Sequence, residues 1–224
     1  MLPIKIENIL FDLDGTLIDS LPGIEHSMRA AISAVVPQRE VSDLRSLIGP
    51  PIREVLRRAV HDIESETLDA LEREFRVNYD DQGWRKAVAY HGVTEVLSLL
   101  SHAKLKSFVV TNKPILPAKR ILERLALSNY FEEVVSLNSQ VPSFSSKAEA
   151  AAYVMTKHSL NASSTLFVGD SVDDARVAHL CGLRFAAVTY GYGRPDSQLD
   201  LPIYVTLDNM GGLASIIEGN HLPE

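Results

Sequence analysis

Phe11-Asp12-Leu13-Asp14-Gly15-Thr16-Leu17-Ile18-Asp19-Ser20 follows directly on the apolar run from Ile4 to Phe11, and the junction between the two decides the fold. Ile4, Ile6, Ile9, Leu10 and Phe11 have few polar interruptions, the pattern of a strand covered on both faces in a parallel sheet. Gly15 lets the backbone turn where that strand must end. Asp12 and Asp14 therefore stand at a carboxyl strand end, the edge at which open α/β sheets place their ligands. Two unpaired acids there repel each other and lose hydration, so the arrangement asks for a cation or a shared proton. On this stretch alone a solvated turn accounts for the Asp and Gly residues equally well. An EF-hand reading of D-x-D-G fails, because its sixth and twelfth loop positions, which need Gly and Glu, fall on Leu17 and Gly23. Asp12 is read as a nucleophile.

The chain of 224 residues is long enough for one sizeable domain with a modest insertion, and its 46% hydrophobic and 23% charged content is ordinary for a globular protein. A net charge of -7 argues against a nucleic-acid surface and against acidic membranes. The single cysteine, Cys181, excludes an intramolecular disulfide and fits a reducing compartment. The first apolar run is broken by Lys5 and Glu7, too short for a signal-peptide core or a membrane span, so a cytoplasmic location is expected.

From about Leu21 to Tyr79 the spacing of apolar residues is helical, with many Arg and Glu and no strand pattern. Helices are expected over Ser27 to Val36, from a Ser42 cap through Leu47, from Pro51 through Val60, and from Glu66 to Tyr79. After Gly92 helices and strands alternate: strands at Ser107 to Thr111, Glu133 to Ser136, Thr165 to Gly169, Arg184 to Thr189 and Ile203 to Leu207, with helices between them. One of these helices is expected to run from Asp174, with Asp173 as its N-cap, to Cys181. Such alternation predicts an α/β fold, a doubly wound parallel sheet, interrupted after its first strand by an inserted α-helical cap. The expected division is an α/β core of residues 1–17 and 86–224 and a helical cap of residues 18–85.

Four strand ends or helix starts carry polar residues that a doubly wound sheet would bring to one crevice: Asp12 with Asp14, Thr111 with Asn112 and Lys113, Lys147, and Asp170 with Ser171, Asp173 and Asp174. A cluster of carboxylates without His or Cys favours a hard cation, Mg²⁺ foremost. A hydroxyl and an ammonium opposite them suit phosphoryl oxygens. A carboxylate can attack phosphorus, and Asp14, across the glycine turn, can serve as acid to the leaving oxygen and base to the incoming water.

Phe11-Asp12-Leu13-Asp14-Gly15-Thr16, Val110-Thr111-Asn112-Lys113-Pro114, Lys147, and Val168-Gly169-Asp170-Ser171-Val172-Asp173-Asp174 resemble, in order, the four motifs of the haloacid dehalogenase-like hydrolase superfamily. The resemblance spans the chain, including the turn Gly191-Tyr192-Gly193, and is nearest the phosphoglycolate phosphatase-like branch with a helical cap after the first motif. It implies a Rossmann-like core and a phosphoric monoester hydrolase acting on a small phosphorylated metabolite. It also implies that Asp12 is the nucleophile and Asp14 both the acid/base and a backbone-carbonyl ligand of Mg²⁺. Asp170 is then the main metal carboxylate, and Asp174 a water-mediated partner, so Asp12, Asp14, Asp170 and Asp174 make up the metal set. Thr111 and Lys147 would hold the phosphoryl oxygens, with Asn112 nearby.

One departure is that Lys147 is followed by Ala148 where much of this branch has proline, which makes Lys113 a rival for the phosphate-binding role. Lys147 is preferred because it opens a helix after a loop. The second Asp disfavours a dehalogenase, the lack of any lysine between Lys5 and Lys86 disfavours a cap Schiff base, and Ile24 stands where mutase relatives carry a shuttle histidine. Dinucleotide binding is disfavoured because Asp196 replaces the third glycine after Gly191 and Gly193. In the cap, Gly49-Pro50-Pro51-Ile52-Arg53 resembles the loop facing the active site, and Arg53 is a candidate for reading a substrate carboxylate or second phosphate. Phosphoglycolate is the first substrate expected. Pyrophosphate, nucleoside monophosphates and sugar phosphates are alternatives, and a non-catalytic phosphate-ligand sensor is the rival from another class.

Overall fold

The computed structural model describes residues 5–39, 44–193 and 201–219; the Ser42 cap and the Ile4 start of the first strand lie outside them. Six parallel strands form one sheet. They are β1 (Asn8–Phe11), β4 (Lys106–Thr111), β5 (Glu133–Ser136), β6 (Thr165–Gly169), β7 (Arg184–Val188) and β8 (Val205–Leu207), in the order β5-β4-β1-β6-β7-β8. β1 is central because all four of its residues are buried, as a strand with helices on both faces must be. Its side chains alternate. Ile9 and Phe11 face a cluster closed by α4 (Val93–His102) and α5 (Ile115–Arg124); Leu10 faces the opposite cluster with α6 (Lys147–Lys157) and α7 (Val172–Leu180).

Register places the site. Phe11 pairs with Val109 of β4 and Val168 of β6, and the Asp12 amide donates to the Val168 carbonyl at 2.9 Å, so the chain leaves the sheet at Asp12 on one strand and at Gly169 on its neighbour. β4 ends at Thr111, opposite Ser136 of β5.

Three helices, α1 (Leu21–Val35), α2 (Ile52–Ala59) and α3 (Ser65–Asp81), gather a cluster of their own that includes Met28, Leu56, Leu71 and Phe75. The chain enters and leaves this helical insert through a short antiparallel ribbon, β2 (Ile18–Asp19) with β3 (Val88–Ala89). Two residues per strand are too few to show a period, so no pattern of residues marks the ribbon in advance.

Other boundaries differ from expectation. α1 begins at Leu21 rather than Ser27: Pro22 sits in its first turn, where a missing N–H costs nothing, and Ser27 lies inside the helix with its hydroxyl donating to the Gly23 carbonyl at 2.9 Å. α7 begins at Val172 rather than Asp174, and its N-cap is Ser171, not Asp173. The Ser171 hydroxyl accepts from the Asp174 amide while the Asp174 carboxylate accepts from the Ser171 amide, a reciprocal cap that Asp173 has no part in.

Candidate active site

The site assembles where β1, β4 and β6 end. Asp12 is 6%, Asp170 3% and Asp174 0% exposed, and one carboxylate oxygen from each lies within 4.8 Å of the others. Lys147, the first residue of α6, reaches into this group. Its ammonium is 2.5 Å from Asp12 Oδ1 and 2.6 Å from Asp174 Oδ1. The second Asp174 oxygen accepts from the Ser171 amide at 3.0 Å and hydroxyl at 2.6 Å, which fixes its rotamer. Asp170 Oδ2 accepts the amides of Tyr192 at 2.7 Å and Gly193 at 2.9 Å. Gly15, with φ of 89°, makes room: a Cβ there would lie 2.3 Å from Asp170 Oδ2.

Three buried carboxylates face one ammonium. Burial, and secondarily the neighbouring acids, hold the Asp12 carboxyl well above its ordinary range despite Lys147, and burial with the Asp174 charge pushes Asp170 up to about 6. Burial alone would lower the Lys147 ammonium, but Asp12 and Asp174 outweigh it and hold it above its usual value. The residual negative charge, offered by oxygens only, fits a hard divalent cation such as Mg²⁺.

Asp14 stands beside this group and is held differently. Lys113 donates to both its oxygens, at 2.8 and 3.0 Å. Thr111, 1% exposed, accepts the Lys113 amide at 3.1 Å, and the Lys113 carbonyl accepts from the Ser136 hydroxyl at 2.6 Å. The two lysines weighed from sequence thus take separate partners: Lys147 the Asp12–Asp174 pair, Lys113 Asp14.

Asn112 lies on the rim, its amide donating to the Gly49 carbonyl of the insert at 3.1 Å and to Asp173 at 3.4 Å. Arg53 pairs within the insert, with Asp69 at 2.6 Å and Glu72 at 2.9 Å, and stays 37% exposed in a crevice it shares with Asn112. The structure therefore unites Asp12, Asp170, Asp174 and Lys147, sets Asp14, Thr111 and Lys113 alongside, and leaves Arg53 outside that group.

Sequence reasoning placed Ser171 at the crevice without a role and passed over the Tyr192 side chain. The Tyr192 hydroxyl accepts the amides of Ser20 at 2.6 Å and Leu21 at 2.9 Å and donates to Asp19 at 2.7 Å. One residue thus ties the Asp170 loop to the chain's entry into the insert. Only the turn Gly191-Tyr192-Gly193 hinted at it, and a turn says nothing of where its side chain goes.

A family model described as haloacid dehalogenase-like hydrolase matches residues 9–188. A phosphoglycolate phosphatase of Photobacterium profundum is 31% identical over 223 residues, covering 95% of this chain and 96% of its own. The tyrosine-protein kinase PtkA of Mycobacterium tuberculosis is 31% identical over 84% of this chain and 64% of its own length. The crystal structure of a predicted phosphatase from Clostridium acetobutylicum superposes with a TM-score of 0.83 at 27% identity, covering 96% of this chain and 100% of that one.

Proposed function

The chain belongs to the haloacid dehalogenase-like hydrolase family, and from that premise we propose that it is a Mg²⁺-dependent phosphatase of a small phosphorylated metabolite working through an aspartyl-phosphate. The observation that carries the reading is the pairing of Lys147 with Asp12 inside a buried triad of carboxylates, with Asp14 held across the Gly15 turn by a lysine of its own. Asp12 and Asp170, with the Asp14 carbonyl and more remotely Asp174, would hold Mg²⁺, which supplies charge neutralisation so that an anionic nucleophile meets an anionic substrate.

In this reading a carboxylate oxygen of Asp12 attacks phosphorus, and the bond from phosphorus to the ester oxygen breaks as Asp14 gives that oxygen a proton. Asp14 then takes a proton from water, whose oxygen attacks the phosphorus and releases phosphate and the free Asp12 carboxylate. Lys147 and Thr111 bind the phosphoryl oxygens through charge-assisted and hydroxyl hydrogen bonds, with Asn112 at the rim. Residues 18–85 act as a cap over the core of residues 1–17 and 86–224, hinged at the ribbon, and exclude water while the phosphoenzyme exists. Arg53 in this cap is a candidate reader of a second anionic group.

Phosphoglycolate is the first substrate to test, because it stands in the names of relatives 31% and 32% identical over most of this chain. Pyrophosphate, nucleoside monophosphates and sugar phosphates compete with it, since the cap rather than the core distinguishes them. A cytoplasmic setting suits such an enzyme, and among the described residues no helix is long and apolar enough to cross a membrane.

The test is phosphate release from these compounds by wild type and Asp12→Asn, in Mg²⁺ and in EDTA. Turnover is expected in Mg²⁺ only and is expected to fall at least about 10³-fold in the variant. Retained turnover in Asp12→Asn would overturn the nucleophile assignment.

A further inference from the structure

Tyr79 lies near the end of α3, at the seam between the helical insert and the sheet. Its side chain is buried, 5% exposed, and its hydroxyl has no hydrogen-bond partner among the described residues. Its ring stacks on Phe75, with centroids 5.3 Å apart and planes inclined by 13°, and the Lys113 ammonium lies 5.1 Å from the ring centre. Lys113 is near enough to act on both the ring and the hydroxyl electrostatically, but its well-formed hydrogen bonds go to Asp14 and leave the hydroxyl without one. Tyr79 is thus the aromatic lid over the Asp14–Lys113 pair.

Two glycines bring it there. A Cβ on Gly23 of α1 would lie 2.1 Å from the Gly83 carbonyl oxygen, and a Cβ on Gly83 would lie 2.7 Å from Cδ2 of Tyr79. Only the missing side chains let α1, the turn after α3 and the phenol ring come so close.

Asp14, Lys113 and Tyr79 line one cleft with the apolar side chains of Ile24, Ile52, Val55 and Phe75. Of the other polar side chains on its wall, Arg76 is committed to Glu72 and Asn112 to the Gly49 carbonyl, and Asp80 is exposed. Among the described residues the Tyr79 hydroxyl is the buried polar group on that wall with no well-formed hydrogen bond, and buried hydroxyls are rarely left so.

We propose that Tyr79 is a specificity-determining residue whose hydroxyl hydrogen-bonds an oxygen on the leaving group of a phosphomonoester seated against Asp12 and Asp14. The substrates it selects are phosphate esters of short alcohols that carry a further carboxylate or hydroxyl oxygen, with the carbon skeleton against Phe75, Ile52 and Val55. The inference rests on the phosphatase reading and adds to it the group that reads the alcohol. A site built to hydrogen-bond a substrate oxygen discriminates strongly against the analogue lacking it.

The experiment uses the full chain in Mg²⁺ and compares wild type with Tyr79→Phe on two matched pairs: phosphoglycolate with ethyl phosphate, and glycerol 3-phosphate with propyl phosphate. Tyr79→Phe is expected to lower kcat/KM at least about 10-fold for the oxygen-bearing member of the preferred pair and to leave its apolar partner within about 2-fold. Its melting temperature is expected to stay within about 2 °C of wild type or exceed it, because the lost hydroxyl makes no well-formed hydrogen bond and Lys113 keeps both of its bonds to Asp14. Equal losses within both pairs, or a fall in melting temperature, would overturn the proposal while leaving the phosphatase reading in place. No phosphate release by wild type from any of the four, with release from pyrophosphate, a nucleoside monophosphate or a sugar phosphate, would overturn the proposal alone; no release from any of these compounds would overturn both.

Discussion

Lys147 donates to Asp12 and Asp174 at once, so a neutral side chain there leaves two carboxylates buried beside a third. Removing one partner of a buried pair costs about 3–5 kcal/mol, and each kcal/mol is about 2–4 °C for a chain of this size. Lys147→Met is expected to melt on the order of 10 °C below wild type in EDTA, with part of the loss recovered in Mg²⁺. A variant that melts with wild type in EDTA would mean that the carboxylates shed their charge by taking up protons. The same triad predicts that wild type melts higher in Mg²⁺ than in EDTA, by the equivalent of about 2.7 kcal/mol when free Mg²⁺ is 100-fold above its Kd. Asp170→Asn is expected to abolish that difference in a thermal scan. These acids were legible in the sequence because their spacing put them at strand ends; which lysine met which acid was not. Lys113 follows a strand end and Lys147 opens a helix, and only packing sent one to Asp14 and the other to Asp12.

At the scale of elements, the first turn of α7 both ends a strand connection and orients a candidate metal carboxylate. Ser171→Ala removes the hydroxyl cap, at about 1 kcal/mol, and leaves the Asp174 oxygen that does not face Lys147 with only the backbone amide at 171 to hold it. Groups that orient metal ligands typically matter about 10–100-fold, so calorimetric titration of Ser171→Ala with Mg²⁺ is expected to show at least about 10-fold weaker binding. An unchanged Kd would remove Asp174 from the metal's surroundings. The β2–β3 ribbon makes a separate prediction. Tyr192→Phe deprives the Ser20 amide of its acceptor and leaves the Leu21 amide with Asp19 Oδ1 at 3.1 Å alone, but keeps the Tyr192 amide on Asp170. Limited proteolysis near residues 18–20 is expected to accelerate several-fold while Mg²⁺ affinity stays the same. Uniform protection in both proteins would show that the hydroxyl does not hold the ribbon.

At the scale of the molecule, Trp84 is the chain's one tryptophan, and it packs against both the insert cluster and the sheet cluster that contains Phe11. Its fluorescence should therefore report whether the insert is docked. Leu71 is fully buried in the insert cluster, and truncating such a side chain costs about 2–5 kcal/mol. In Leu71→Ala the Trp84 signal is expected to change at lower urea than far-ultraviolet circular dichroism, because the insert has its own core and can open before the sheet. Coincident transitions would mean that insert and sheet unfold as one unit.

The sequence by itself determined the parallel sheet, the position of the helical insert and the acids at strand ends, because those features follow from local patterns: unbroken apolar strands, helical spacing and glycine turns. It did not locate the start of α1, which lies at Leu21 with Pro22 in its first turn rather than at Ser27, or the N-cap of α7, which is Ser171 rather than the Asp173 expected. Tertiary structure alone decided the partners. Tyr79 and Lys113 are far apart in the chain, as are Tyr192 and Asp19, and a side chain's destination depends on how closely two elements approach. That distance is set by packing across the seam, down to the missing Cβ atoms of Gly23 and Gly83, and no local pattern encodes it.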